Sequence, residues 1–277
     1  MDNVYGGSAA PAKRLTVPEI RARKGKSPLA VVTAYDFTMA RLVEEAGVDV
    51  VLVGDSLGMV VQGQGNTLTV TLEEMCYHGR AVARATRRAH LVGDMPFMSY
   101  QVSPAHAVES GGRMLKEGAF ESVKLEGGGE FAEHVRSLVR VGIPVMGHLG
   151  LLPQSVHALG GFHVQGRSAE AAQKMVRDAQ ALEEAGAYSI VLEAIPPDVA
   201  AEITAAVRVP TIGIGAGPRC DGQVLVISDL LGLARGQSPR FVKRYAELGD
   251  AVVRAVSAYV GEVRGGAFPA PEHTYKS

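Results

Sequence analysis

A single unit recurs along this chain and constrains its fold more than any other feature. It consists of an amphipathic stretch, a glycine and a short β-branched run. Glu44-Glu45-Ala46-Gly47 precedes Val48 to Val53, and Glu183-Glu184-Ala185-Gly186 precedes Tyr188 to Leu192. Gly118 leads into Glu121 to Leu125, and Gly142 into Ile143 to Met146. Glycine enters the left-handed conformation that ends a helix at no steric cost. An apolar run with weak alternation suits a strand covered on both faces. The runs Leu29 to Thr33, His90 to Gly93, Val209 to Ile214 and Val224 to Ile227 bring the strand candidates to about eight.

Helical patterns separate most of these runs. Thr16-Val17-Pro18-Glu19 and Thr71-Leu72-Glu73-Glu74 have the form of capping boxes, and Ser103-Pro104 is a good helix start. Alternation of β and α without hairpin signals predicts an α/β protein with parallel strands. Eight units favour a closed (β/α)8 TIM barrel over a doubly wound sheet, with an N-terminal capping helix ahead of the first strand. No Rossmann fingerprint is present, since Gly213-Ile214-Gly215-Ala216-Gly217 has the wrong spacing and follows the seventh run. The organisation expected is a disordered stretch over 1–14, one barrel domain over 15–265 and a loose tail over 266–277. An amphipathic C-terminal helix is expected from Pro239 to Val263.

Composition narrows the function. Hydrophobic residues make up 47% and charged residues 21%, the balance of a protein with a large core. A net charge of -1 argues against nucleic acid or an acidic membrane as partner, and Arg84, Arg87 and Arg88 read as a solvated helix face. Cys76 and Cys220 stand in no metal-ligand or redox spacing, which suits a reducing compartment. With no secretory signal core in Met1 to Lys13 and no membrane-length apolar window, a cytoplasmic protein is expected.

Barrel active sites lie at the C-terminal ends of the strands, so the residues that follow each run matter most. Asp55 and Ser56 follow the second run, Asp94 the third, Lys124 and Glu126 end the fourth, His148 the fifth and Glu193 the sixth. Asp55 and Asp94 could supply oxygen ligands to Mg²⁺ while leaving positions for water and substrate. Each could instead cap the next helix. Lys124 and Glu126 are two apart and leave a strand on one face, either as an ion pair or as a group that neutralises a substrate oxyanion. Glu193 could be a general base or the partner of Lys124. A lone histidine such as His148 is more often structural. Ser56 could donate to a carboxylate or begin a helix. Gly127-Gly128-Gly129 reads as a flexible loop and Gly213 to Gly217 as a tight one. Cys220 has no basic partner that would make it a nucleophile.

The same residues resemble the ketopantoate hydroxymethyltransferase family over about residues 15 to 263. The motifs are Thr33-Ala34-Tyr35-Asp36, Val53-Gly54-Asp55-Ser56-Leu57-Gly58, Gly93-Asp94-Met95-Pro96-Phe97 and Val123-Lys124-Leu125-Glu126-Gly127. Further on stand Gly147-His148-Leu149-Gly150-Leu151, Gly160-Gly161-Phe162, Glu193-Ala194-Ile195-Pro196, Gly213 to Gly217 and Asp221-Gly222-Gln223-Val224-Leu225-Val226. The resemblance implies Mg²⁺ as cofactor, 5,10-methylenetetrahydrofolate as co-substrate, a small 2-oxo acid (3-methyl-2-oxobutanoate) as acceptor and a decameric homo-oligomer. It further implies Asp55 and Asp94 as metal ligands with Glu126 near the metal, and Ser56, Lys124 and His148 at the substrate. Glu193 would be the proton acceptor. Two alternatives stay open: a Mg²⁺ barrel of the isocitrate-lyase and phosphonopyruvate-mutase kind, and a non-catalytic barrel.

Overall fold

The computed structural model describes residues 13–234 and 238–275. Residues 1–12 of the stretch expected to be disordered, and residues 276–277 of the tail, lie outside the described residues. The chain divides into two compact units, Met1–Val226 and Ile227–Ser277.

The first unit is the expected parallel barrel. Its strands are β1 (Leu29–Thr33), β2 (Val50–Val53), β3 (His90–Asp94), β4 (Ser122–Glu126), β5 (Val145–Gly150), β6 (Ser189–Glu193), β7 (Thr211–Ile214) and β8 (Gly222–Leu225). Each pairs in parallel with the next, and β8 returns to β1 with Leu29 opposite Gly222, so the sheet closes. The helix starts read from sequence form. Glu74 accepts from the Thr71 backbone N–H at 2.8 Å, and the Ser103 hydroxyl accepts from His106 N–H at 3.2 Å.

Most strand boundaries shift by one to four residues from the expected runs, and those of β5 and β8 do so for clear local reasons. β5 begins at Val145 rather than Ile143, because Pro144 has no N–H and only its carbonyl joins the sheet, accepting from Val123 N–H. β8 begins earlier, at Gly222, where a Cβ would press on the Leu29 backbone, while Ile227 opens the short helix Ile227–Leu230. Gly47, Gly142 and Gly186 take positive φ as the pattern requires. Gly118 does not: it closes the helix Pro104–Gly118, and Ala119 takes the left-handed position instead.

The reason is Phe120. Cβ atoms added at Gly79, Gly93 and Gly118 would each meet its ring at 2.5 to 2.6 Å, so three glycines make room for one aromatic side chain. Gly93→Ala therefore has no relaxed solution and is expected to cost about 1–3 kcal/mol of stability. Gly112→Ala, whose Cβ would meet nothing within 4 Å, should gain up to about 1 kcal/mol from helix propensity. Urea midpoints of the two variants should move in opposite directions; equal shifts would contradict this packing.

Side chains directed inward form two layers. The lower is apolar and joins Val31, Val50, Leu52, Val92, Met146, Val191, Ile212 and Val224. Ile20, from the helix Val17–Arg21 ahead of β1, is fully buried in that cluster, which is the bottom plug expected of the N-terminal helix. The upper layer is charged and forms the site described below.

In the second unit the long helix is Leu248–Gly265, not Pro239–Val263. The backbone before it is committed elsewhere: Tyr245 and Leu248 N–H groups donate to Leu230 and Leu231 carbonyls. Phe268 returns onto Tyr259, ring centroids 5.5 Å apart. Among the described residues no helix is long and apolar enough to cross a membrane.

Candidate active site

Strand register brings the charged residues together. Asp94 lies opposite Lys124, Glu126 opposite His148, and Gly150 opposite Glu193. Asp94, Glu126 and Glu193 are the last residues of β3, β4 and β6, while Asp55 lies in the turn after β2. All of the residues singled out in the sequence therefore gather at one end of the barrel.

The capping alternative fails for both aspartates. Ser56, not Asp55, holds the N-cap position of the short helix Leu57–Val60, and Ser103 caps the helix that follows β3. Asp94 Oδ2 instead accepts from the Asp55 backbone N–H at 3.0 Å, linking the two carboxylate-bearing turns. Ser56 Oγ lies 2.8 Å from the Tyr35 hydroxyl.

Lys124 is buried, with Nζ 2.9 Å from Asp94 Oδ1 and 3.0 Å from His148 Nδ1. The ion pair between Lys124 and Glu193 left open by the sequence is thus not the one that forms. Glu193 meets His148 instead, Oε2 to Nε2 at 3.1 Å, and Glu126 Oε1 stands 3.7 Å from His148 Nδ1. An ammonium can only donate, so Nδ1 of His148 accepts and Nε2 carries the ring proton, which is not aligned on Glu193 as a hydrogen bond. His148 is more central than a structural histidine would be.

Four carboxyl groups face one ammonium here, and burial raises three of them, Asp55, Glu126 and Glu193. It pushes the Glu193 carboxyl up to about 7 against the opposing charge of Lys124. Burial, reinforced by the charge of Asp94, pushes Asp55 up to about 7 as well, and burial followed by Asp55 raises Glu126 well above the usual carboxylate range. His148 falls well below the ordinary histidine value, first through burial and then through Lys124, so it is neutral. Burial opposes the charged form of Lys124, but Asp94, Glu126 and Asp55 outweigh it and hold the ammonium charged.

Two buried residues here escaped the sequence reading. Gln154, in the 3₁₀ turn Pro153–Ser155 after β5, donates from Nε2 to Asp55 Oδ2 and to the Met95 carbonyl, both at 2.9 Å. Tyr100 places its hydroxyl 2.9 Å from the Glu126 carbonyl and 3.1 Å from Gln154 Oε1. The one signal available was position, a polar residue in the loop just past a strand end.

The glycine stretches are constrained loops. Gly129 N–H donates to Asp178, Gly128 lies against the Asp178 side chain, and Gly129–Phe131 is a 3₁₀ turn, so the stretch read as flexible is tied down. Gly215 and Gly217 take positive φ in the tight connection to β8. Cys220 is a free thiol that burial raises away from reactivity.

Among the described residues no three His, Cys, Asp or Glu side chains make a ready metal cage. That does not disfavour Mg²⁺, which takes one or two carboxylates and fills its remaining positions with water and substrate oxygens. The donor set fits it: hard oxygens, an excess of negative charge, and Asp94 Oδ1 buried with no hydrogen-bond donor aligned on it.

Known proteins resemble this chain along most of its length. The family model described as Ketopantoate hydroxymethyltransferase matches residues 14–271. A 3-methyl-2-oxobutanoate hydroxymethyltransferase of Anaeromyxobacter sp. (strain Fw109-5) is 58% identical, covering 97% of this chain and 90% of its own. One from Pelobacter propionicus is 55% identical, covering 95% and 98%. Among solved structures, 2,3-dimethylmalate lyase, a member of the PEP mutase/isocitrate lyase superfamily, aligns with a TM-score of 0.61 at 17% identity over 93% of this chain and 88% of its own. Phosphonopyruvate hydrolase in complex with oxalate and Mg²⁺ aligns at 0.59 and 16% identity over 93% and 92%. At such identities the structural likeness speaks for the fold alone.

Proposed function

The chain belongs to the ketopantoate hydroxymethyltransferase family, and on that premise we propose that it transfers a hydroxymethyl group from 5,10-methylenetetrahydrofolate to 3-methyl-2-oxobutanoate. The product is 2-dehydropantoate, the first intermediate toward pantothenate. The observation that carries the reading is the charged layer in the barrel mouth: one buried lysine among four carboxyls, with Glu193 poised at about 7.

Asp55 and Asp94 would hold Mg²⁺, with Glu126 beside them as a further oxygen donor. When bound, the ion would act as a Lewis acid toward the 2-oxo oxygen and keep the Asp55 carboxyl ionised. Ser56 and Lys124 bind the anionic acceptor. The carboxylate of Glu193 removes the C3 proton, a transfer favoured when the base has a pKa near the working pH. Lys124 balances the charge that develops on the 2-oxo oxygen. His148, neutral and with Nε2 3.1 Å from Glu193 Oε2, lies beside the base. The C3 electron pair forms the new carbon–carbon bond to the one-carbon unit, one water supplies the hydroxyl oxygen, and tetrahydrofolate leaves. Family resemblance extends the proposal to a decameric, cytoplasmic enzyme.

A donor labelled with ¹³C at its methylene carbon tests this reading. The label is expected in a hydroxymethyl group on a quaternary carbon of the product. Cleavage of a 2,3-dialkylmalate, with no label transferred, would support the lyase alternative instead.

A further inference from the structure

We infer that Gln154 is a positioning residue that sets which oxygens of Asp55 and Glu126 are presented to a divalent cation. The inference rests on the reading that these carboxylates face such a cation.

Gln154 is 6% exposed, and its side-chain amide and backbone N–H are all engaged. Its backbone N–H, free because it lies in the first turn of a 3₁₀ segment, donates to Glu126 Oε2 at 3.0 Å. Its Nε2 donates to Asp55 Oδ2 and the Met95 carbonyl, and its Oε1 accepts from Gln101 Nε2 at 3.0 Å with the Tyr100 hydroxyl beside it. A side-chain amide has two donors and two acceptor positions, and here both kinds are matched. Reversing the amide would set its oxygen against two further acceptors, so only one orientation fits.

One residue thus engages one oxygen of each of two carboxylates that arise from different strands. Asp55 Oδ1 and Glu126 Oε1 are left outside its grip, and the latter faces His148. Both carboxylates are thereby fixed in direction, and their remaining oxygens can each serve as a one-oxygen ligand. A residue that only packed the loop would not need its two donors on these two groups. Outer partners of this kind typically change metal affinity when removed.

The test uses Mn²⁺ as the probe, titrated into the full chain without ketoacid or folate and followed by the electron paramagnetic resonance signal of the free ion. Gln154→Met keeps the volume and removes the side-chain donors, so Mn²⁺ should bind about 10- to 100-fold more weakly. Gln154→Asn, polar but too short to reach Asp55, should lose affinity to a similar degree and covers the case in which the first variant does not fold. Gln101→Ala removes a donor to Oε1 and a long contact to Tyr100 N–H but none of the bonds to Asp55 or Glu126, and should change the affinity far less. Wild-type Mn²⁺ affinity in either folded Gln154 variant would overturn the inference. Failure of the wild-type chain itself to bind Mn²⁺ would overturn the metal reading beneath it.

Discussion

Glu193→Gln is expected to slow exchange of the C3 proton of 3-methyl-2-oxobutanoate by about 10²- to 10⁴-fold, the usual worth of a positioned general base. Glutamine has the same shape, so the barrel mouth should keep its geometry. Asp55, Asp94 and Lys124 are untouched, so binding of Mg²⁺ and ketoacid should survive. The pH dependence has a definite sign. Glu193 is held at about 7, mainly by burial, and only its carboxylate form can accept a proton. Exchange by the wild type should therefore rise with pH and level off above about 7, and the residual rate of the variant should lack that step. Exchange in Glu193→Gln within threefold of wild type, measured by proton NMR in D₂O, would remove Glu193 from the role.

The second large effect belongs to Lys124. Its ammonium stands 2.9 Å from Asp94 and 3.0 Å from His148, within the charged layer. Lys124→Met should lower turnover by about 10²- to 10³-fold, as loss of a donor aimed at a developing oxyanion does. It should also destabilise the fold, because removing one partner of a buried pair costs about 3–5 kcal/mol. The loss depends on pH. Lysine held above its ordinary value contributes stability that is fully present at neutral pH and would be lost only as pH rises through the folded-state value. In the variant the carboxyls lack that partner, so the folded state holds protons more tightly than the unfolded chain does. Stability then falls as pH rises, since the folded state binds more protons. Urea unfolding in EDTA should show a deficit for Lys124→Met that is smaller near pH 5, where the carboxyls take up protons, than at pH 8. A pH-independent deficit would mean that lost packing, not lost charge, is responsible.

The barrel was legible because each of its units repeats the same local physics. Gly47 and Gly186 end helices in the left-handed conformation and release chains into apolar strands that need cover on both faces. Where reading failed, a distant contact had overridden a local preference. Gly118 is a glycine that clears the Phe120 ring and not a helix-ending turn residue, and Pro144 withholds a donor that β5 would need. The charged strand ends were equally visible, since Asp94, Lys124, Glu126 and Glu193 sit in or directly after β-branched runs. Their pairings were not. Whether Lys124 meets Asp94, Glu126 or Glu193 depends on register and barrel closure, and His148 turned out to bridge Lys124 and Glu193. Gln154 was illegible for the same reason. Its role exists only once the turns after β2, β3 and β5 converge with the end of β4.

The most direct test of an enolising, metal-dependent site is proton NMR of 3-methyl-2-oxobutanoate in D₂O with the protein, Mg²⁺ and 5,10-methylenetetrahydrofolate. The C3 proton signal should disappear as new hydroxymethyl signals grow, and EDTA should abolish both changes. Persistence of the C3 proton with folded, Mg²⁺-supplied protein, or turnover that EDTA leaves untouched, would contradict it.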